Sequence, residues 1–160
     1  NDRDICIWDA RGGNASIIIE DAHQFPINSV QWHPYNENLI ISSALDPFLH
    51  LHDIRQPKKP LHSFTGHALP RKSKAMYQPI FLKTGMNIKS EAEAAPILTG
   101  GRGTECLSLY SPSTGNVISR GESEIDYTTL GAYHGSDGNS TILIAGASKK
   151  NLHLFTPVIS

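Results

Sequence analysis

Residues 27–67 of the chain read INSVQWHPYNENLIISSALDPFLHLHDIRQPKKPLHSFTGH. The stretch contains short apolar segments in which apolar and polar residues alternate, separated by turns rich in Pro, Asn and Asp. We predict that these segments form four antiparallel strands: Ile27–Trp32, Leu39–Ser43, Phe48–Asp53 and Pro60–Phe64. No part of the chain has the 3.6-residue apolar period of an amphipathic helix, so the sequence predicts an all-β fold.

The third of these segments has counterparts along the chain, which indicates an internal repeat. Each counterpart has two apolar residues two positions apart, then a ring side chain and a small polar residue: Asp4–Asp9, Phe48–Asp53, Cys106–Ser111 and Asn151–Thr156. Their last residues are 44, 58 and 45 residues apart. Two of the intervals match a repeat of about 40–45 residues. The longer interval contains a polar stretch, TGMNIKSEAEAA, that we predict to be a solvated insertion.

Three residue pairs near the repeats carry a resemblance to a known family. Trp8-Asp9 and Gly66-His67 resemble the signature pairs of WD-repeat proteins, and Ala22-His23 is a relaxed form of the second pair. The resemblance extends over essentially the whole chain. It implies a β-propeller made of four-stranded antiparallel blades, of which this chain covers about three and a half.

On this resemblance the chain divides into four units. They are 1–21, the second half of a blade; 22–65, a blade; 66–120, a blade with the insertion near 84–95; and 121–160, a blade without a clear last strand. Propellers close with about 4–8 blades, so three and a half blades leave open flanks. We expect the remainder of the propeller in a longer chain, or a second copy, to cover them.

The family also has a hydrogen-bonded chain inside each blade, built from a His, a Ser or Thr, an Asp in a turn and the Trp. The resemblance implies that role for Asp2, Trp8, His23 and Asp46. In the second unit, Ala44 stands where we expect the hydroxyl and His52 replaces the Trp. In the third and fourth units, Thr104 and Lys149 stand at the Asp position, so we expect no such chain there.

The composition is that of an ordinary folded protein. Hydrophobic residues make up 39% and charged residues 18%, and the formal net charge is −1, so any electrostatic site must be local. The two cysteines, Cys6 and Cys106, favour a reducing compartment, and we expect Cys6 to be small and buried. The apolar stretches are too short to cross a membrane, and the polar start does not resemble a signal peptide. We expect a nuclear or cytoplasmic location.

Catalytic motifs are absent from the sequence. His134, Ser136 and Asp137 are the residue types of a catalytic triad, but near neighbours in a loop cannot adopt triad geometry by themselves. His50 and His52 point to one face of a strand and can share a zinc ion, yet no third ligand follows at a suitable spacing. We therefore predict no enzymatic activity, no metal and no cofactor.

Two Asp-x-Arg steps follow the third strand of neighbouring units. Asp9-Ala10-Arg11 and Asp53-Ile54-Arg55 resemble the W-D-x-R box of WD-repeat substrate receptors for cullin–RING ubiquitin ligases, which implies an adaptor-binding role for Asp9, Arg11, Asp53 and Arg55. The rigid guanidinium fork suits such a role because it can bind two acceptors at once. Alternatively, each Asp-x-Arg step forms a local surface ion pair, which contributes little.

A second candidate surface is a basic rim on the opposite face. It consists of Arg71, Lys72, Lys74, Arg102, Lys149 and Lys150, next to an apolar rim of Phe25, Pro26, Pro47 and Phe48. A basic rim can bind phosphates or an acidic tail. Alternatively, its lysines and arginines are scattered and solvated.

We interpret the chain as a non-enzymatic interaction scaffold. The most specific hypothesis is a substrate receptor of a cullin–RING ligase whose basic rim faces DNA or chromatin. Residues 64–79 resemble the last blades of the damage-binding WD subunit that recognises lesions in DNA. The rival hypothesis is a histone-binding or complex-assembly scaffold without a ligase. It rests on the segment 27–36, which resembles histone-binding WD proteins.

Overall fold

The computed structural model describes residues 3–67, 78–83, 95–100, 106–122, 129–134, 142–148 and 151–155. Within these ranges, thirteen strands form four antiparallel sheets, and no helix is long and apolar enough to cross a membrane. The all-β prediction is confirmed. The predicted insertion at 84–95 lies, except for Ala95, outside the described residues.

Each sheet is a meander in which strands that follow one another in the chain are paired. Sheet one contains β1 (Ile5–Trp8) and β2 (Ala15–Ile19). Sheet two contains β3 (Ile27–Trp32), β4 (Leu39–Ala44), β5 (Leu49–Asp53) and β6 (His62–Phe64). Sheet three contains β7 (Ile80–Phe81), β8 (Ile97–Thr99), β9 (Cys106–Tyr110) and β10 (Val117–Glu122). Sheet four contains β11 (Thr129–His134), β12 (Ile142–Ser148) and β13 (Asn151–Phe155).

The strand β4 explains how the sheets are layered. All six of its residues are buried, as expected for a strand that is covered on both faces. Because side chains alternate along a strand, Ile40 packs with Ile5 and Ile19 of sheet one, whereas Ile41 packs with Phe81 and Ile97 of sheet three. Sheet two is therefore held between its two neighbours.

A third apolar cluster joins sheets three and four. Its buried members are Ile80, Leu82, Leu98 and Leu130, and Leu107, Leu109 and Ala132 pack against them. Burying a large aliphatic side chain contributes roughly 1.5–3 kcal/mol, so these clusters between sheets supply most of the stability that holds the layers together.

The prediction that Cys6 is buried is wrong. Ile5 and Ile19 turn toward sheet two, with exposed fractions of 5% and 2%. Because side chains alternate along a strand, the adjacent residue in each strand, Cys6 or Ile18, must face the other way. Cys6 pairs with Ile18 on this outer face; Cys6 is exposed and Ile18 is 48% exposed.

Candidate functional site

A buried polar network lies on the face of sheet two that turns toward sheet one. His23 Nδ1 is 3.2 and 3.0 Å from the two carboxylate oxygens of Asp46, and its Nε2 is 2.9 Å from Ser42 Oγ. Ser42 Oγ is also 3.2 Å from Nε2 of His52. The carboxylate of Asp46 further accepts the backbone N–H groups of Gln24 and Phe48. The network joins the segment before β3, strand β4, the turn after it and strand β5.

The structure corrects the prediction that Ala44 stands at the hydroxyl position of this network. Ser42 and Ala44 share one face of β4, but Ser42 is opposite His50 in the register and Ala44 is opposite Ile27 at the strand end. Only Ser42 is therefore level with the rings of both His23 and His52.

The atoms of this network have the order of a Ser–His–Asp catalytic triad, with Asp46 at Nδ1 and Ser42 at Nε2 of His23. A nucleophile must reach its substrate, however, and Ser42 has an exposed fraction of 0%. Its hydroxyl also lies 3.4 Å from the carbonyl oxygen of His50. The geometry supports a structural role. Of the triad residue types noted in the sequence, Ser136 and Asp137 lie outside the described residues.

Burial favours the neutral imidazoles of His50 and His52. It lowers the pKa of His50 to about 4, with a further contribution from the nearby His23. Burial and the neighbouring His50 and His23 lower the pKa of His52 to about 3. Burial alone would raise the pKa of Asp46, but hydrogen bonds and the His23 charge outweigh it and lower the pKa.

No third ligand joins His50 and His52 in the part of the chain that the structure describes. Their ring centroids are 5.8 Å apart, and the ring centroid of His23 lies 4.4 Å from that of His50. Within the described ranges, no group of three or more His, Cys, Asp or Glu side chains is arranged to hold a metal ion.

Sheet three has a shorter version of the network. The hydroxyl of Tyr110 is 3.2 Å from Nδ1 of His67 and donates to the carbonyl oxygen of Thr65 at 2.9 Å. Burial and the charge of Arg120 lower the pKa of His67 to about 4. The third unit thus has a His67–Tyr110 pair, and Thr104, on which the expectation of no His–hydroxyl–Asp chain rested, lies outside the described residues.

Both predicted adaptor-binding arginines are clamped by their own aspartates. In the first step, Arg11 donates from Nε and Nη2 to the carboxylate of Asp9 at 3.0 and 2.9 Å. In the second step, Arg55 makes the same two bonds to Asp53 at 3.0 and 2.7 Å. In each step the backbone N–H of the arginine also donates to the aspartate at 2.9 Å. These bonds lower the pKa of both carboxyl groups.

The aspartates use only some of the N–H donors of each guanidinium group. Each guanidinium has five N–H donors, of which the aspartate takes two, and the rest point away from the carboxylate. The side chains of Arg11 and Arg55 are 90% and 65% exposed. The local ion pair and a docking role are therefore compatible, since the aspartate fixes the fork while leaving its outer edge open.

A groove of about 810 Å³ lies beside Arg11, between sheets one and two. Sheet one contributes Trp8, Asp9 and Arg11, and the opposite wall is formed by the end of β3 and the turn that follows it, residues 32–38. Three aromatic side chains of the groove are largely exposed: Trp8 at 62%, Trp32 at 50% and Tyr35 at 42%.

The groove was not foreseen from the sequence. Trp8 was predicted to join the polar network of the first unit with Asp2, which lies outside the described residues, and Trp32 was predicted only as a strand end. One signal was available: a Trp directly before His33-Pro34 ends a strand at a turn, where a large ring is often only partly covered.

The predicted basic rim falls outside the described ranges. Arg71, Lys72, Lys74, Arg102, Lys149 and Lys150 all lie outside the described residues. Of the apolar rim next to it, Phe25 is 49% exposed.

Comparisons with known proteins add relatives for part of the chain. No family model matches it. The chain is 34% identical over 68 residues to a ribosome biogenesis protein WDR12 homolog of Nematostella vectensis, a match that covers 41% of this chain and 16% of that protein. The homolog from Ixodes scapularis is 32% identical over 69 residues, covering 42% and 16%. The WD-40 repeat-containing protein MSI4 of Arabidopsis thaliana is 32% identical over 73 residues, covering 42% and 14%.

A solved structure supports the architecture. The WD40 β-propeller domain of Doa1 superposes with a TM-score of 0.64 at 12% identity, over 95% of this chain and 43% of that chain. The chain thus spans less than half of its structural neighbour, and the matched stretch is a small part of its relatives. In sequence signature, in the stretches it shares with these relatives and in fold, this chain is similar to WD-repeat β-propeller proteins.

Proposed function

We propose that the chain is part of a non-enzymatic interaction scaffold that binds a protein partner on the face that carries Arg11 and Arg55. The observation that supports this most is a groove lined by the clamped Arg11 and three exposed aromatic rings, together with a second guanidinium, Arg55, that is held and exposed in the same way. Arg, Trp and Tyr are the residue types that most often contribute the binding energy of protein interfaces. Clamping lowers the entropy lost when the guanidinium is bound.

The more specific proposal is that the partner is the adaptor of a cullin–RING ubiquitin ligase. Its support is the W-D-x-R pattern of Trp8, Asp9 and Arg11 and the presentation of the guanidinium toward solvent. The second step has His52 in place of the Trp, and this ring is buried in the polar network. The second guanidinium, Arg55, is nevertheless held in the same way as the first.

A second candidate is a scaffold for complex assembly or chromatin, without a ligase. It is favoured by the relatives, two of which are named ribosome biogenesis proteins, while the third is the WD-40 repeat-containing protein MSI4. A nuclear or cytoplasmic location fits both candidates. DNA binding through the basic rim stays a prediction from the sequence.

The test is affinity purification of the intact protein from cells, comparing wild type with Arg11→Ala and Arg55→Ala. We expect the affinity of each variant for the partner to fall about thirtyfold, since a desolvated charged hydrogen bond at an interface contributes about 2–5 kcal/mol. Arg11→Lys should fail as well, because lysine cannot make the fork. Thermal midpoints should change little, because both guanidinium groups are exposed and surface ion pairs contribute little to stability.

The matched control is Arg3→Ala. Arg3 also makes an exposed ion pair, 2.7 Å from Asp21, but neither residue lines the groove. Loss of adaptor and cullin peptides in Arg11→Ala and Arg55→Ala, but not in Arg3→Ala, would support the ligase proposal. If assembly or chromatin proteins disappear instead, the second candidate holds. If Arg11→Ala and Arg55→Ala retain every partner as well as Arg3→Ala does, this face is not a docking surface.

A further inference from the structure

We propose that the groove between sheets one and two binds a short extended segment of a partner protein, in which an apolar side chain is flanked by an acidic and a basic residue. The proposal rests on the docking face described above and specifies what occupies it. The groove is defined by Trp8, Asp9 and Arg11 on the wall from sheet one and by Trp32, Tyr35 and Glu37 on the wall from sheet two.

The wall from sheet two is rigid. His33 is buried at 4% exposure, and its Nδ1 accepts the backbone N–H groups of Tyr35 and Asn36 at 3.2 and 3.0 Å. The side chain of Asn36 accepts the N–H of Asn38 at 3.0 Å. The ring of His33 also packs edge-on against Phe81, with centroids 4.8 Å apart, which anchors the turn to the next sheet.

The wall from sheet one is fixed as well. Asp9 holds Arg11 by three hydrogen bonds, and the carbonyl oxygen of Asp9 accepts the N–H of Gly12 at 3.0 Å to close a tight turn. Ser16 donates to the carbonyl oxygen of Ile7 at 3.0 Å, which ties the two strands together below this turn. A groove with two fixed walls is preformed, so a ligand does not have to order it.

The charges of the groove differ between its walls. Arg11 presents the outer edge of its guanidinium from sheet one, and Glu37 is an exposed carboxylate in the turn of sheet two. Within the described residues, Glu37 makes no ion pair. A ligand that complements both walls therefore carries a carboxylate toward Arg11 and a cation toward Glu37.

The size and lining of the groove limit what can fill the middle. A volume of about 810 Å³ lies within the range of roughly 300–1,000 Å³ that is typical of pockets for a drug-sized ligand, so it accommodates a few residues rather than a folded domain. Exposed rings such as Trp8 and Trp32 favour apolar side chains, proline among them, because extended proline-containing segments bind to aromatic grooves at a low entropic cost. The occupant is thus a short linear segment.

The experiment selects random twelve-residue peptides, displayed on phage, against the intact protein, and measures binding of the enriched peptides by fluorescence anisotropy. We expect the enriched sequences to combine an acidic residue, apolar residues and a basic residue. Arg11→Glu, Glu37→Lys and Trp32→Ala should each bind these peptides at least about tenfold more weakly. The double variant Arg11→Glu/Glu37→Lys should recover binding to peptides in which the two charges are exchanged.

The matched control is Phe25→Ala, an aromatic residue with a similar exposed fraction, 49%, that does not line the groove. It should bind the peptides as wild type does. If no peptides with this pattern are enriched, or if they bind Trp32→Ala and Glu37→Lys as tightly as wild type, the groove proposal is overturned. Failure of the docking face itself gives a different result, since Arg11→Ala and Arg55→Ala would then retain the cellular partner.

Discussion

At the scale of single residues, Ser42 shows what a sequence pattern determines and what it leaves open. Alternation along β4 places Ser42 and Ala44 on one face, and the family pattern requires a hydroxyl there. Alternation does not say which of the two is level with His23 and His52, because that depends on the pairing of β4 with β5. The sequence therefore predicted that the polar network exists, but it assigned the hydroxyl position to residue 44 instead of residue 42.

Replacement of Ser42 by alanine tests the corrected assignment. Ser42→Ala removes the atom that His23 and His52 share and leaves two ring nitrogens without that partner at sites with almost no solvent access. An unsatisfied buried polar group costs about 1–3 kcal/mol, so we expect the free energy of unfolding to fall by at least about 2 kcal/mol. Denaturant unfolding of the intact protein measures this change.

The control is Ser63→Ala in the neighbouring strand β6, where the side chain is exposed and a change within about 0.5 kcal/mol is expected. Equal stabilities of Ser42→Ala and Ser63→Ala would show that the hydroxyl of Ser42 is not a central member of the network.

At the scale of elements, the strands predicted between residues 27 and 64 are all present, and their ends differ for local reasons. The last strand was predicted to begin at Pro60 but begins at His62. A proline has no N–H to donate to a neighbouring strand, and only Leu61 adds one bond before the strand, from its N–H to the carbonyl oxygen of Leu51 at 2.7 Å. Strand existence follows from apolar alternation, whereas strand ends depend on individual hydrogen bonds.

The junction between sheets two and three depends on the backbone of Gly66. This residue has φ +84°, and a Cβ here would collide with the guanidinium of Arg120. Gly66→Ala must adopt a left-handed conformation and displace Arg120, so we expect it to destabilise the protein by about 1–2 kcal/mol. A fall in the thermal midpoint measures the effect.

Gly131→Ala is the matched control for this substitution. Gly131 lies in β11, and nothing is within 4 Å of the position of a Cβ there. Its stability should stay the same or rise by up to about 1 kcal/mol, because alanine restricts the unfolded chain. If both glycines tolerate alanine equally, the left-handed conformation at Gly66 is not required.

At the scale of the whole molecule, the groove is the feature that sequence could not supply. Its walls come from residues 7–17 and from residues 32–38 with Ile54, and their separation is set by the packing of sheet one on sheet two through Ile5, Ile19 and Ile40. The repeat predicted the layers, and the Asp-x-Arg steps predicted one edge of the site. The aromatic lining emerges only when two sheets are placed side by side.

Buried histidines are a second property of the assembled sheets. His52 and His67 are 1% exposed, and His50 is partly buried, with its ring in contact with those of His23 and His52. In an unfolded chain these imidazoles have an ordinary pKa of about 6.5. In the folded protein, burial lowers the pKa to about 3 for His52 and to about 4 for His50 and His67. All three are therefore neutral when folded at pH 5.

Stability should consequently fall on acidification. Between about pH 6.5 and pH 4 the unfolded chain binds protons that the folded state excludes, so the free energy of unfolding decreases as the pH drops. His52 and His67 together contribute a slope of about 2.5 kcal/mol per pH unit near pH 5, and His50 adds a smaller amount because it is partly exposed to water. Denaturant unfolding at pH 7.5, 6.5, 5.5 and 5.0 measures the slope. His52→Gln should lower it by about 1.4 kcal/mol per pH unit, whatever its effect on stability at pH 7.5. A stability that is constant from pH 7.5 to pH 5.0, or a slope that His52→Gln leaves unchanged, would mean that these imidazoles are protonated in the folded protein and that the sheets do not exclude water from them.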